Sequence, residues 1–210
     1  MPALIRISRA AMLCMTAIAA CGAAGLVHAA PKKAEKAGKK EEAKPTRVAT
    51  FGDWNVFVGE SGKGRICYAL AQPKSRDPDS LKRDPGYAFI SDRPAEGVHN
   101  EVSFIMGFDV ANGADADEPK KGAKASSRSK AVPAPVAVIG DADFELLPKG
   151  GNLWVKNAAR EGALIAEMKK GATLQIKAAS IRGNPTVDNY SLTGFTQAMD
   201  RLQKECAGKS

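Results

Sequence analysis

Val102-Ser103-Phe104-Ile105-Met106-Gly107-Phe108-Asp109-Val110 places Val102, Phe104, Met106, Phe108 and Val110 on alternate positions, with Ser103 and Asp109 among the residues facing the other way. A period of two is that of a β-strand with one buried face. Trp54, Val56 and Val58 alternate in the same way, as do Ile66, Tyr68 and Leu70, and later Leu174 and Ile176. Shorter strand candidates fall at 87–91, 136–139, 143–147, 153–156 and 186–192. About eight or nine strands separated by Gly and Pro turns predict a mainly β fold, an antiparallel β-sandwich or barrel-like domain. The βαβ rhythm of a dinucleotide-binding fold is missing.

Two segments break the β pattern. Asn157 is the expected N-cap of a short helix over 158–170, with Leu164, Ile165 and Met168 on one stripe and Gly171 as its stop. A second, amphipathic helix is expected over 194–206, where Phe195, Met199, Leu202 and Cys206 fall on one face. That face is the one that packs on the sheet, so it carries the Cys206 sulfur toward the strand that holds Cys67.

The chain has 210 residues, with 31 Lys and Arg against 23 Asp and Glu and a formal charge of +8. Residues 1–30 account for part of that charge. Arg6 and Arg9 precede an alanine-rich apolar run that ends in small residues before Lys32, the pattern of a secretory signal peptide. A transmembrane anchor is the first alternative. The second is a lipoprotein signal acylated at Cys21, which follows Ile18-Ala19-Ala20. The expected location is therefore periplasmic or secreted, with lipid anchoring at Cys21 as the minority reading.

Cleavage near Ala30 would remove Cys14 and Cys21 and leave Cys67 and Cys206 as the only pair, in an oxidising compartment. One disulfide between them is expected, stabilising the fold by roughly 2–4 kcal/mol through closure of a long loop. Two free thiols are the competing reading.

Residues 31–47 hold seven positive and three negative charges and no aromatic residue, which predicts a disordered basic linker. A long disordered loop is expected over 112–135, and a shorter loop, rich in Asp, Arg and Pro, over 73–85. Residues 48–206 form the expected β domain. They carry 21 basic and 20 acidic residues, so the domain itself is nearly neutral. Specificity must then lie in its surface rather than its bulk charge.

Phe51-Gly52-Asp53-Trp54 opening a strand, Cys67-Tyr68-Ala69-Leu70-Ala71-Gln72, and Tyr190-Ser191-Leu192-Thr193-Gly194-Phe195 leading into the last helix resemble the invasion-associated locus B family of secreted bacterial proteins. The resemblance covers roughly residues 50–206. It implies a β-rich exported domain of Gram-negative bacteria with no established enzymatic activity, named for a member linked to host-cell entry. This chain departs from the family pattern near Val58 and Gly59, where a further Cys is common. The family's usual disulfide set is thereby reduced to the Cys67–Cys206 pair.

Several chemistries can be weighed on the residues themselves. After signal removal His99 is the one histidine left, so any nucleophile–histidine arrangement would need it. It sits in a turn, Pro94-Ala95-Glu96-Gly97-Val98-His99-Asn100, where a solvent-exposed histidine is the ordinary reading. No nucleophile elbow, phosphate loop or zinc spacing is present. Asp92, Glu96 and Glu101 cluster around the same turn and define the alternative function, a periplasmic hydrolase using carboxylates near His99. The basic linker offers Lys32, Lys33, Lys36, Lys39, Lys40 and Lys44 for contact with an anionic membrane. It has no aromatic residue for base stacking, so no specific nucleic acid is expected. The chain thus reads as a non-enzymatic exported protein, with no catalytic residues, metal or cofactor, acting on an envelope component or a host-surface protein.

Overall fold

The computed structural model describes residues 44–113 and 132–207, all within the unit Lys40–Ser210. The expected signal segment 1–30, the basic linker as far as residue 43 and residues 114–131 of the expected loop lie outside the described residues.

Eleven strands follow in chain order: β1 (Thr46–Phe51), β2 (Trp54–Ser61), β3 (Gly64–Ala71), β4 (Ser75–Asp77), β5 (Tyr87–Arg93), β6 (Val98–Ile105), β7 (Val136–Ile139), β8 (Ala142–Lys149), β9 (Asn152–Val155), β10 (Thr173–Ala179) and β11 (Pro185–Ser191). Helix α1 (Glu161–Lys170) separates β9 from β10, and α2 (Phe195–Cys206) follows β11. The strands form one sheet in the order β1-β2-β3-β5-β6-β9-β8-β7-β10-β11-β4, with every pairing antiparallel. The order has two ends, so the sheet is open. The expected mainly antiparallel β architecture with a short helix and an amphipathic C-terminal helix is what forms.

Alternation on β6 buries Val102 and Phe104 completely. The strand stops at Ile105 rather than running on to Val110, because Gly107 adopts a left-handed φ of +68° and turns the chain. Met106 and Val110 are still buried, and Val110 reaches the sheet through an isolated bridge to Ser180. Phe108, expected on the same buried face, is only partly buried.

On β3 the expected set, Ile66, Tyr68 and Leu70, is only half-buried, while Cys67, Ala69 and Ala71 face the core. The reason is α2, which packs against β1, β2, β3 and β5. Small side chains on β3 leave room for Phe195, Ala198, Met199, Leu202 and Cys206 of the helix, all buried. The large β3 residues are therefore displaced to the other face.

Two corrections concern segments read as loops. The linker expected over 31–47 ends early, because Thr46 and Arg47 already belong to β1 and pair with Val58 and Phe57. Within 73–85, Ser75–Asp77 form β4 on the edge of β11. Neither strand carries a hydrophobic alternation long enough to stand out; pairing with a neighbour decides both. Asn157 does act as a cap, its side chain accepting from the Ala159 N–H at 3.1 Å, but it caps a 3-10 turn (Ala158–Arg160) that leads into α1.

Both sheet ends are blunted against further pairing. A bulge at Val48 interrupts β1, and β4 has three residues followed by Pro78.

Candidate functional site

The two ends of the fold meet where the first and last motifs touch. Trp54 Nε1–H donates to the Ser191 carbonyl at 3.0 Å, and the Asp53 N–H donates to the Thr193 carbonyl at 3.2 Å. Gly52 and Gly194 have φ of +53° and +85°, and a Cβ on Gly194 would collide with the Phe51 carbonyl. A disulfide joins Cys67 to Cys206, with Cα atoms 6.0 Å apart, and so fixes the last turn of α2 on β3. Arg65 reinforces this junction, its Nη2 lying 2.9 Å from Glu205 Oε2 and its Nε–H donating to the Glu205 carbonyl at 2.8 Å. These features are structural: they hold α2 and the end of β11 against the start of β2 and against β3.

The neighbourhood of His99 is organised by arginine rather than by a carboxylate pair. Arg93 Nη2 lies 2.7 Å from Glu101 Oε2 and its Nε 3.5 Å from Glu96 Oε2, while Lys63 lies 3.8 Å from Glu96. Asp92 is 5% exposed and accepts the Asn100 N–H at 2.6 Å, holding Asn100 at a left-handed φ of 57°. His99 is exposed and borders a cavity of about 250 Å³ with Asp92, Asn100 and Gln203. Burial pushes the Glu161 carboxyl up from its ordinary range, opposed by the Val102 N–H that it accepts at 3.2 Å. The structure thus brings Glu96 and Glu101 onto one guanidinium, with Asp92 committed to a turn.

A second polar group is buried near β4 and β11. Asp188 is fully buried, with Oδ2 3.0 Å from Arg76 Nε and Oδ1 2.9 Å from Arg83 Nη1. Arg76 also donates to the carbonyls of Asp84 and Met106, and Arg83 to that of Pro78, so the segment 76–84 is pinned to the sheet. Burial raises the Asp188 carboxyl and the two guanidiniums pull it back. Next along β11, Tyr190 is fully buried with no partner for its hydroxyl among the described residues; burial and the Asp188 charge raise it far above the usual phenol range. Because both Asp188 oxygens are taken by guanidiniums that also bind the Pro78, Asp84 and Met106 carbonyls, this cluster is a structural clamp.

The open face of β2, β3 and β5 is different. Phe57 and Tyr68 are cross-strand partners whose rings stack at 5.1 Å and 12°. Tyr68 meets Phe89 at 5.7 Å, and Phe89 meets Tyr87 at 6.0 Å. Register carries the same face onward through Ser103 to Trp154 of β9 and Leu147 of β8, the latter 54% exposed. Cross-strand partners share a face, so these side chains form one half-exposed band outside the core. At its β1 end the band opens into a cleft of about 630 Å³, bordered by Arg47, Asn55, Phe57, Gln72, Lys74 and Tyr87. Lys74 Nζ lies 2.9 Å from Asp53 Oδ1, and Lys74 with the Ser191 hydroxyl holds the Asp53 carboxyl below its usual value.

The band was readable in part. Residues 64–71 are apolar on both alternations, Ile66, Tyr68, Leu70 against Cys67, Ala69, Ala71, which signals a strand whose second face is also used. Among the described residues no group of three or more His, Cys, Asp or Glu side chains is placed to hold a metal ion, and no helix is long and apolar enough to cross a membrane.

Comparison with known proteins bears on the C-terminal part. Neither a curated protein nor a solved structure matches the chain. Residues 157–203, which span α1, β10, β11 and most of α2, match the family model described as Invasion associated locus B (IalB) protein. That match, on the segment that carries Tyr190-Ser191-Leu192-Thr193-Gly194-Phe195, supports assigning the chain to the IalB family.

Proposed function

We propose that this IalB-type chain is an exported, non-enzymatic protein of the bacterial envelope or host interface, periplasmic or secreted, that works by surface recognition. The observation that carries the reading is the half-exposed aromatic band Phe57–Tyr68–Phe89–Tyr87. Aromatic side chains left outside a core are costly to hydrate and are enriched where proteins bind. The Cys67–Cys206 bridge and the signal-like residues 1–30 support export, since structural disulfides persist in oxidising compartments. The linker lysines Lys32, Lys33, Lys36, Lys39, Lys40 and Lys44 would add salt-sensitive attraction to anionic membrane.

A hydrolase working through the carboxylates around His99 is less well supported, because Glu96 and Glu101 share Arg93. The test compares two variants for retention on isolated envelopes and on host cells. Tyr68→Ala with Phe89→Ala should lose retention while keeping the melting transition. Glu96→Ala, His99→Ala and Glu101→Ala together should keep it. Unchanged retention in the first variant, or loss in the second together with a lost turnover, would reverse the proposal.

A further inference from the structure

We propose that the cleft at the β1 end of the aromatic band is a binding site for an acidic oligosaccharide, a deepening that rests on the surface-recognition reading above. The argument begins with the bulge in β1. Ala49 pairs with Val56 on the core side, so uninterrupted pairing would set Val48 opposite Phe57 and Arg47 opposite Val58. The bulge at Val48 shifts the register, and Arg47 instead pairs with Phe57. One extra residue thereby moves a guanidinium from the core side of the sheet to the aromatic side, a re-aiming for which bulges near binding sites are known. Arg47 has no ion pair or side-chain hydrogen bond among the described residues.

The rest of the lining fits a sugar better than a protein surface. Interface cores between proteins are depleted of charge and rich in apolar contact. Here amides and charges alternate with rings: Asn55 and Gln72 stand beside Phe57 and Tyr87, and Lys74 is paired with Asp53 at the rim. The polarised C–H bonds of a pyranose ring pack on the electron-rich face of an aromatic ring. Amide groups donate to and accept from its hydroxyls. Arg47 supplies a planar fork suited to a carboxylate, and with Lys74 balanced by Asp53 the cleft carries one uncompensated positive charge. At about 630 Å³ the space is within the range of small-ligand sites. A uronic-acid unit presents the ring, the hydroxyls and the carboxylate together.

The experiment is affinity electrophoresis of the protein recovered after expression of the full sequence, through gels containing sodium alginate as an acidic polymer or dextran as a neutral one. Alginate should retard the protein and dextran should not. Arg47→Gln, at an exposed position, should weaken alginate binding about tenfold. Tyr87→Ala and, at the exposed Gln72, Gln72→Ala should each weaken it several-fold with unchanged melting. Equal retardation by both polymers, or alginate binding indifferent to Arg47→Gln, would overturn the proposal. Alginate retardation that survives Tyr87→Ala and Gln72→Ala would assign it to ionic adsorption elsewhere and overturn it too. Absence of glycan binding with a concentration-dependent dimer abolished by Tyr87→Ala would identify the face as a protein interface. That last result overturns the glycan and leaves surface recognition standing, whereas loss of envelope and host retention as well would remove both.

Discussion

Trp54 and Phe195 meet edge to face, with ring centroids 4.8 Å apart and planes at 63°. The first comes from the start of β2 and the second from the start of α2, so one contact joins elements about 140 residues apart in sequence. Both rings are essentially buried, and the indole N–H is satisfied by the Ser191 carbonyl. The contact explains why two short motifs at opposite ends of the chain occur together: each half supplies a ring and a glycine that lets the other approach.

Phe195→Ala should therefore destabilise the fold by about 3–5 kcal/mol, the usual cost of truncating a buried aromatic. Trp54→Phe, which loses the bond to Ser191 and leaves that carbonyl unpaired, should cost about 1–3 kcal/mol. Urea unfolding followed by tryptophan-independent circular dichroism measures both. A smaller loss for Phe195→Ala than for Trp54→Phe would contradict this account of the junction.

The Asp188 clamp leads to a contrasting pair. Asp188→Ala leaves Arg76 and Arg83 without their shared carboxylate and should cost about 3–5 kcal/mol. Tyr190→Phe, on the same strand, removes a buried hydroxyl that has no partner among the described residues and should be neutral or stabilising by about 1 kcal/mol. Thermal melts of the two variants should move in opposite directions or leave Tyr190→Phe unchanged.

Replacing both Cys67 and Cys206 by Ser should cost about 2–5 kcal/mol, because the unfolded chain regains the freedom of a loop spanning most of the domain. Reduction of the native protein should reproduce the loss measured for the double variant. Native protein that alkylates fully without a reductant would show that the bridge is not formed in solution.

The Asp53–Lys74 pair makes a pH prediction of definite sign. The folded carboxyl lies below its ordinary value, held there by Lys74 and then by Ser191. Its contribution to stability is thus complete above the ordinary Asp pKa and is lost as pH falls through the lowered folded value. Carboxyl NMR titration should find Asp53 below 3.8, and Lys74→Met should return it toward that value. An unmoved midpoint in the variant would show that Lys74 is not the cause.

The strand content, the helix at each predicted place and the cysteine pairing were legible because they rest on local rules. Alternation on β6, the spacing of Phe195, Met199, Leu202 and Cys206, and the two cysteines left by the expected signal cleavage need no knowledge of what packs on what. What the alternation leaves open is which side of an apolar strand turns inward. On β3 both sides are apolar, and α2 decides for the small one because only Cys67, Ala69 and Ala71 leave space for a helix. That choice puts Tyr68 on the outer face, where it joins Phe57 of β2 and Phe89 of β5 in the aromatic band.

Arg47 marks the same division at a single residue. Composition places it at the end of a basic tether, since residues 31–44 before it are mostly lysines, glutamates and alanines. Pairing with Phe57 places it in a strand, and a bulge one residue later turns it to the face that carries the rings. Local sequence determined that this protein would be a β domain closed by a helix and one long-range bridge. Only the tertiary structure decided which residues face solvent, because the inward side of β3 is set by a helix that the Cys67–Cys206 bridge reaches across 139 residues, and the aim of Arg47 by a bulge in its pairing with β2.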